Sequence, residues 1–110
     1  MDLPTLRKLV ALDANDPLSR FALGRKLAEV APSDDSPELR EAAEHLAFAN
    51  QKSPEHLATY HIYSQVLIRL GRKDEARGIL EEGIRRTAAV GEGMGRDLGP
   101  AMREMLNQLK

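Results

Sequence analysis

Three groups of residues have types that could do chemistry. The glycine run Gly91-Glu92-Gly93-Met94-Gly95-Arg96 has the backbone freedom to wrap a phosphate. A phosphate loop, however, follows a strand and continues into Lys-Ser/Thr, or it opens a dinucleotide-binding helix. This run follows a helical pattern and does neither, so it reads as a linker. The histidines are His45, His56 and His61. His56 and His61 are five apart, whereas a spacing of four puts two imidazoles on one helix face. With no cysteine to complete a ligand set, ordinary surface or half-buried imidazoles are expected, and no metal or other cofactor. The carboxylate pairs Asp34-Asp35 and Glu81-Glu82 fall in a turn and on a solvated helix face. Acid–base catalysis needs carboxyl groups held apart in a shielded pocket. The expectation is a protein with no catalytic site.

The elements that would position any site follow from composition and periodicity. The chain has 110 residues, 42% of them hydrophobic and 30% charged, with no Trp, two Phe and two Tyr. A chain of this length supports one domain, and its core must be built mainly from Leu and Ala. Few aromatic and β-branched residues argue against a sheet, and the abundant Leu, Ala, Glu and Arg favour helices. Sixteen Lys and Arg against 17 Asp and Glu give a formal net charge of −1. Binding to phosphate backbones or anionic lipid needs a basic excess on one face, so neither nucleic acid nor membrane is an expected partner. The start, Met1-Asp2-Leu3-Pro4, lacks a basic segment leading into an apolar one, and no run nears the ~20 apolar residues of a membrane span. A cytoplasmic protein is expected.

Asp16-Pro17, Ser36-Pro37 and Ser53-Pro54 each put a capping oxygen before a proline, the pattern of a helix start. Each opens a segment of 3.6-residue periodicity. After Pro17, Leu23, Leu27 and Val30 share a face; after Pro37, Leu39, Ala42, Leu46 and Ala49 do; after Pro54, Tyr60, Tyr63, Leu67 and Leu70 do, up to Gly71 as a C-terminal cap. A further helix from Asp74 to about Ala89 carries Ala76, Ile79, Leu80, Gly83 and Ile84. A short leading helix spans Leu3 to Leu12, with Leu6, Leu9, Val10 and Leu12 apolar, and a closing helix spans Asp97 to Leu109, with Leu98, Met102, Met105 and Leu109 in step. Pro32 to Asp35 and Gly91 to Arg96 are loops, so the fold class is all-α.

The helices repeat. Ala42-x3-Leu46-x2-Ala49 aligns with Ala76-x3-Leu80-x2-Gly83 at an offset of 34, and Leu23-Gly24-x2-Leu27 with Tyr63-Ser64-x2-Leu67 at an offset of 40. The excess of six falls in the Ala31 to Ser36 loop, where an insertion is easiest to accommodate. A helix–turn–helix unit with small residues at these places resembles the tetratricopeptide repeat. In the second repeat Tyr60 stands at the first-turn aromatic, Tyr63-Ser64 at the large-then-small pair, and Gly71 at the close of helix A. Ala76 is the small residue that admits helix B, and Pro54 matches the closing proline of the first repeat. The first repeat departs from the pattern with Arg20 at the aromatic position and with the longer turn. The chain also looks like small stand-alone bacterial proteins of this family. The resemblance implies antiparallel hairpins stacked as a short right-handed array within one domain, 1–110. Its parts are a leading helix (3–14), repeat one (17–51), repeat two (54–90) and a closing helix (97–109). Two repeats are fewer than a solenoid usually needs, so the flanking helices must cap it.

The resemblance also implies a function: such proteins bind a peptide or helix of a protein partner on the concave face of their A helices. By the alignment this face is Leu18, Phe21, Arg25 and Glu29 in repeat one, and Ala58, His61, Gln65 and Arg69 in repeat two. The family's chaperone-type carboxylate clamp uses Lys and Asn at such places, and these residues do not reproduce it. Two alternatives stand beside this reading. The stripes can be a plain solvated face with Glu29 and Arg69 as a weak ion pair. The chain, monomer or homodimer, can instead associate through an exposed Met102 and Met105 on the closing helix.

Overall fold

The computed structural model describes residues 1–90 and 98–109, and proline opens three of its helices. Asp2 caps α1 (Leu3–Leu12) by accepting from the Thr5 amide at 3.0 Å, and Asp16 caps α2 (Pro17–Val30) by accepting from the Leu18 amide at 3.2 Å. α3 (Pro37–Lys52) starts at its expected place, but the Ser36 hydroxyl makes no capping bond. That hydroxyl is buried without a partner, and the Ser36 carbonyl accepts from the Leu39 and Arg40 amides instead.

Ser53-Pro54 is not a helix start. The Ser53 amide donates to the Ala49 carbonyl at 2.9 Å, which makes Ser53 the end of α3 and leaves Pro54 in the turn. α4 (Leu57–Arg69) begins three residues later with His56 as its cap, and the Thr59 amide donates to the His56 carbonyl. α4 ends as Gly71 requires. Gly71 has φ +79°, its amide donates to the Ile68 carbonyl, and the Arg72 amide reaches back to the Leu67 carbonyl at 2.8 Å. A left-handed residue closing these two bonds is a Schellman ending, which glycine adopts without a Cβ penalty. α5 (Lys73–Val90) follows almost at once, and α6 is Leu98–Gln108. The described residues contain no strand, and the loop at Gly91 to Arg96 lies outside them.

The chain divides into two compact units, Met1–Pro54 and Glu55–Lys110. In the first, α2 packs on α3 and α1 packs on α2, around Leu6, Leu23, Leu27, Leu39 and Leu46. Gly24 decides how closely α2 approaches α3. A Cβ there would lie 2.8 Å from Leu46 Cγ and 3.2 Å from the Ala42 carbonyl oxygen. Val30, expected on the inner face, is 45% exposed because the helix ends there, and Leu9 and Leu12 of α1 also face outward.

In the second unit α5 packs on α4, and α6 packs on both. Tyr60, Leu80 and Met102 form its buried cluster, with Ile79, Ile84, Leu98 and Met105 against it. A Cβ at Gly83 would stand 2.7 Å from Tyr60 Cβ and 2.8 Å from Met102 Sδ. Buried Ser64 and Thr87 are satisfied by donating to the His61 and Ile84 carbonyls of their own helices, each at 2.9 Å. Ala76, like Ala42 in the first unit, has no exposed surface. Ala76→Leu or Ala42→Leu therefore pushes extra methylenes into a filled interface and should cost about 1–3 kcal/mol in a urea melt. A neutral result would mean that the helix is wrongly registered.

Candidate functional site

The A-helix stripe of the first unit runs along α2. Leu18 is 58% exposed, Phe21 is half-buried, and the Arg25 and Glu29 side chains are exposed. Phe21, Arg25 and Glu29 share an open hollow of about 300 Å³ with Met1, Leu6, Ala22 and Lys26. Leu18 does not line it. Ala22 and Lys26 were not in the stripe read from the sequence. Each follows a stripe residue by one position, so they make a second row turned toward α1, and Leu6 supplies the opposite wall. The adjacent spacing Ala22-x3-Lys26, together with the apolar leading helix, was the signal for that row. Glu29 pairs within its own helix, with Arg25 at 3.6 Å and Lys26 at 3.8 Å. Such long, exposed pairs on one helix are weak and leave both cations able to meet another anion.

The stripe of the second unit runs along α4. Ala58, His61 and Arg69 are partly buried and Gln65 is exposed. His61 Nε2 lies 3.5 Å from Gln65 Nε2, and burial holds the His61 imidazole below its ordinary proton affinity, so it favours the neutral form. Each stripe thus begins apolar at the N-terminal end of its helix and ends on an arginine or a glutamate about three turns later.

Arg20, the departure from the repeat pattern, takes over the role of a ring. Its guanidinium lies 4.2 Å over the Phe48 ring, and its Nε donates to the Ala14 carbonyl at 2.8 Å. A planar guanidinium stacks as an aromatic does, and it also donates hydrogen bonds along its edge. Its Nη1 is 3.3 Å from His45 Nδ1, and the other nitrogen of that imidazole is 3.1 Å from Glu41 Oε2. Glu41 also receives both terminal nitrogens of Arg7, at 2.7 and 3.0 Å, which ties α1 to α3.

The Arg7 hydrogen bond holds the Glu41 carboxyl below its ordinary value, against the opposing pull of partial burial, and His45 adds to it. A carboxylate with a depressed folded value stabilises the fold above the ordinary pKa of 4.5. That stabilisation is lost as the pH falls through the folded value. Melts taken from neutral to acid pH should therefore be flatter for Glu41→Gln than for the parent below 4.5. Equal slopes would show that the Arg7 pair is not formed in solution.

The other groups with chemical potential are dispersed. His56 Nδ1 is 2.7 Å from Thr59 Oγ1 at the head of α4. Asp35 accepts from the Ser33 hydroxyl at 2.6 Å in the turn, and Glu82 pairs with Arg85 and Arg86 on α5. Among the described residues, no three His, Cys, Asp or Glu side chains gather as a metal site would require, and no helix is long and apolar enough to cross a membrane.

The closing helix also differs from expectation. Met102 is 0% exposed and seals Tyr60 and Leu80, while Met105 is partly buried in the same cluster. A docking face built on an exposed Met102 does not exist. The reason lies at Gly83, whose missing side chain admits the Met102 sulfur.

No curated protein matches the sequence of this chain. The family model described as tetratricopeptide repeat matches residues 38–89, from α3 into α5. Tetratricopeptide repeats are in general non-catalytic modules of protein–protein interaction. The matched span holds the left-handed ending at Gly71, the buried Ala42 and Ala76, and the close approach at Gly83. The match supports a tetratricopeptide-repeat assignment for this span of the chain.

Proposed function

We propose that this chain is a cytoplasmic, non-catalytic module that holds a peptide or helix of a protein partner along its A-helix stripes. Leu18, Phe21, Arg25 and Glu29 contact the partner from the first unit, and Ala58, His61, Gln65 and Arg69 from the second. The observation that carries the reading is the juxtaposition on α2. An exposed Leu18 and a half-buried Phe21 precede Arg25 beside an open hollow. An apolar anchor flanked by an arginine is the kind of place where a few residues supply much of a binding energy. Arginine also gives directed, charge-assisted bonds to carboxylate or backbone oxygens.

Lys26 provides a direct test because it lines the hollow. A captured partner, treated with an amine-reactive cross-linker and digested, should cross-link at Lys26 in preference to Lys52 or Lys73. A partner that cross-links at Lys73 and leaves Lys26 unmodified binds elsewhere.

A further inference from the structure

We propose that His45 is a proton-operated tie between α2 and α3: its neutral form holds Arg20, and protonation releases it. Arginine donates hydrogen bonds and accepts none, and an ionised carboxylate accepts and donates none. His45 has one of each on its two nitrogens, with Arg20 Nη1 at 3.3 Å from Nδ1 and Glu41 Oε2 at 3.1 Å from Nε2. One protonation state satisfies both contacts, the neutral imidazole with a bare Nδ1 and a proton on Nε2. The side chain is only 13% exposed, so water has little room to substitute for either partner.

A second proton can enter only at Nδ1. It would set an N–H against the Arg20 N–H groups and put two cations in contact. Three elements supply the charges that face this imidazole: Arg20 from α2, Glu41 from α3 and, across that carboxylate, Arg7 from α1. Glu41 cannot neutralise the new charge alone, because its Oε2 already accepts from Arg7 at 2.7 Å. Protonation strengthens the Glu41 contact and breaks the Arg20 contact. The guanidinium is then left with the Ala14 carbonyl and the Phe48 ring. Acidification thus loosens the first turn of α2 from α3 at the place where most repeats of this kind have an inert aromatic. The inference is independent of where a partner binds.

The test is nuclear magnetic resonance on the whole ¹⁵N-labelled chain. Near neutral pH, long-range proton–nitrogen spectra should show His45 with an unprotonated Nδ1 and a protonated Nε2. On acidification the Arg20 Nε resonance should shift with the same midpoint as His45. His45→Asn keeps an oxygen able to accept from Arg20 but cannot titrate. In that variant the Arg20 resonance should stay fixed over the same range. A His45 proton on Nδ1 at neutral pH would overturn the proposal. So would an Arg20 resonance that ignores the His45 titration. Both are read on the parent chain, so a poorly folded variant does not remove the test.

Discussion

Leu80→Ala should lower the unfolding free energy by about 2–5 kcal/mol, the range for removing a fully buried leucine side chain. Leu80 has no exposed surface and stands between Tyr60 and Met102, so its loss opens a void touched by α4, α5 and α6 together. The void cannot close cheaply. Tyr60 and the Met102 sulfur already occupy the space that a Cβ at Gly83 would need, and so close-packed an interior has little slack for collapse. The void also removes support from α6, whose buried anchor is Met102. Amide exchange in α6 should therefore accelerate more than in α1–α3. Ile79→Val, at a partly buried position of the same cluster, should cost far less. Urea melts compare the two directly. A Leu80→Ala cost below that of Ile79→Val would show that α6 does not close over this core.

The second large effect is on binding. Reversing both stripe arginines, Arg25→Glu with Arg69→Glu, should weaken partner binding at least several-fold, and by more if the partner presents carboxylates. The change removes charge-assisted bonds and adds like-charge repulsion on each of the two stripes. Arg25→Glu alone should alter stability by no more than about 0.5 kcal/mol, since its side chain is exposed and its Glu29 pair is long. Arg69 is partly buried, so the double variant needs its own melt before its binding is interpreted.

The helices were legible because proline, aspartate and glycine act locally. Asp16-Pro17 and Gly71 need only their neighbours to set a cap or a left-handed turn. Ser53-Pro54 misled because the same pair serves equally well to end a helix, and whether Ser53 donates backward to Ala49 depends on how far α3 runs. The repeat offset identified the close contacts at Ala42, Ala76 and Gly83, since small residues matter where backbones meet. What it could not give was the face of α6. Met102 and Met105 have the same residue type and near-equivalent helical positions. Their burial depends on a space left by Gly83, far away in sequence. The Arg20–His45–Glu41–Arg7 chain was hidden for a related reason: it joins three helices through side chains that sequence spacing does not relate.

Whether the A-helix stripes hold the partner is decided by calorimetric titration of a purified partner. The parent chain, the Arg25→Glu/Arg69→Glu variant and an Arg85→Glu control on the outer side of α5 would be titrated under one salt condition. The control should bind as the parent does, and the double variant, still folded by its melt, should lose affinity at least several-fold. Unchanged affinity of the folded double variant, or equal loss in the control, would contradict binding on the stripes.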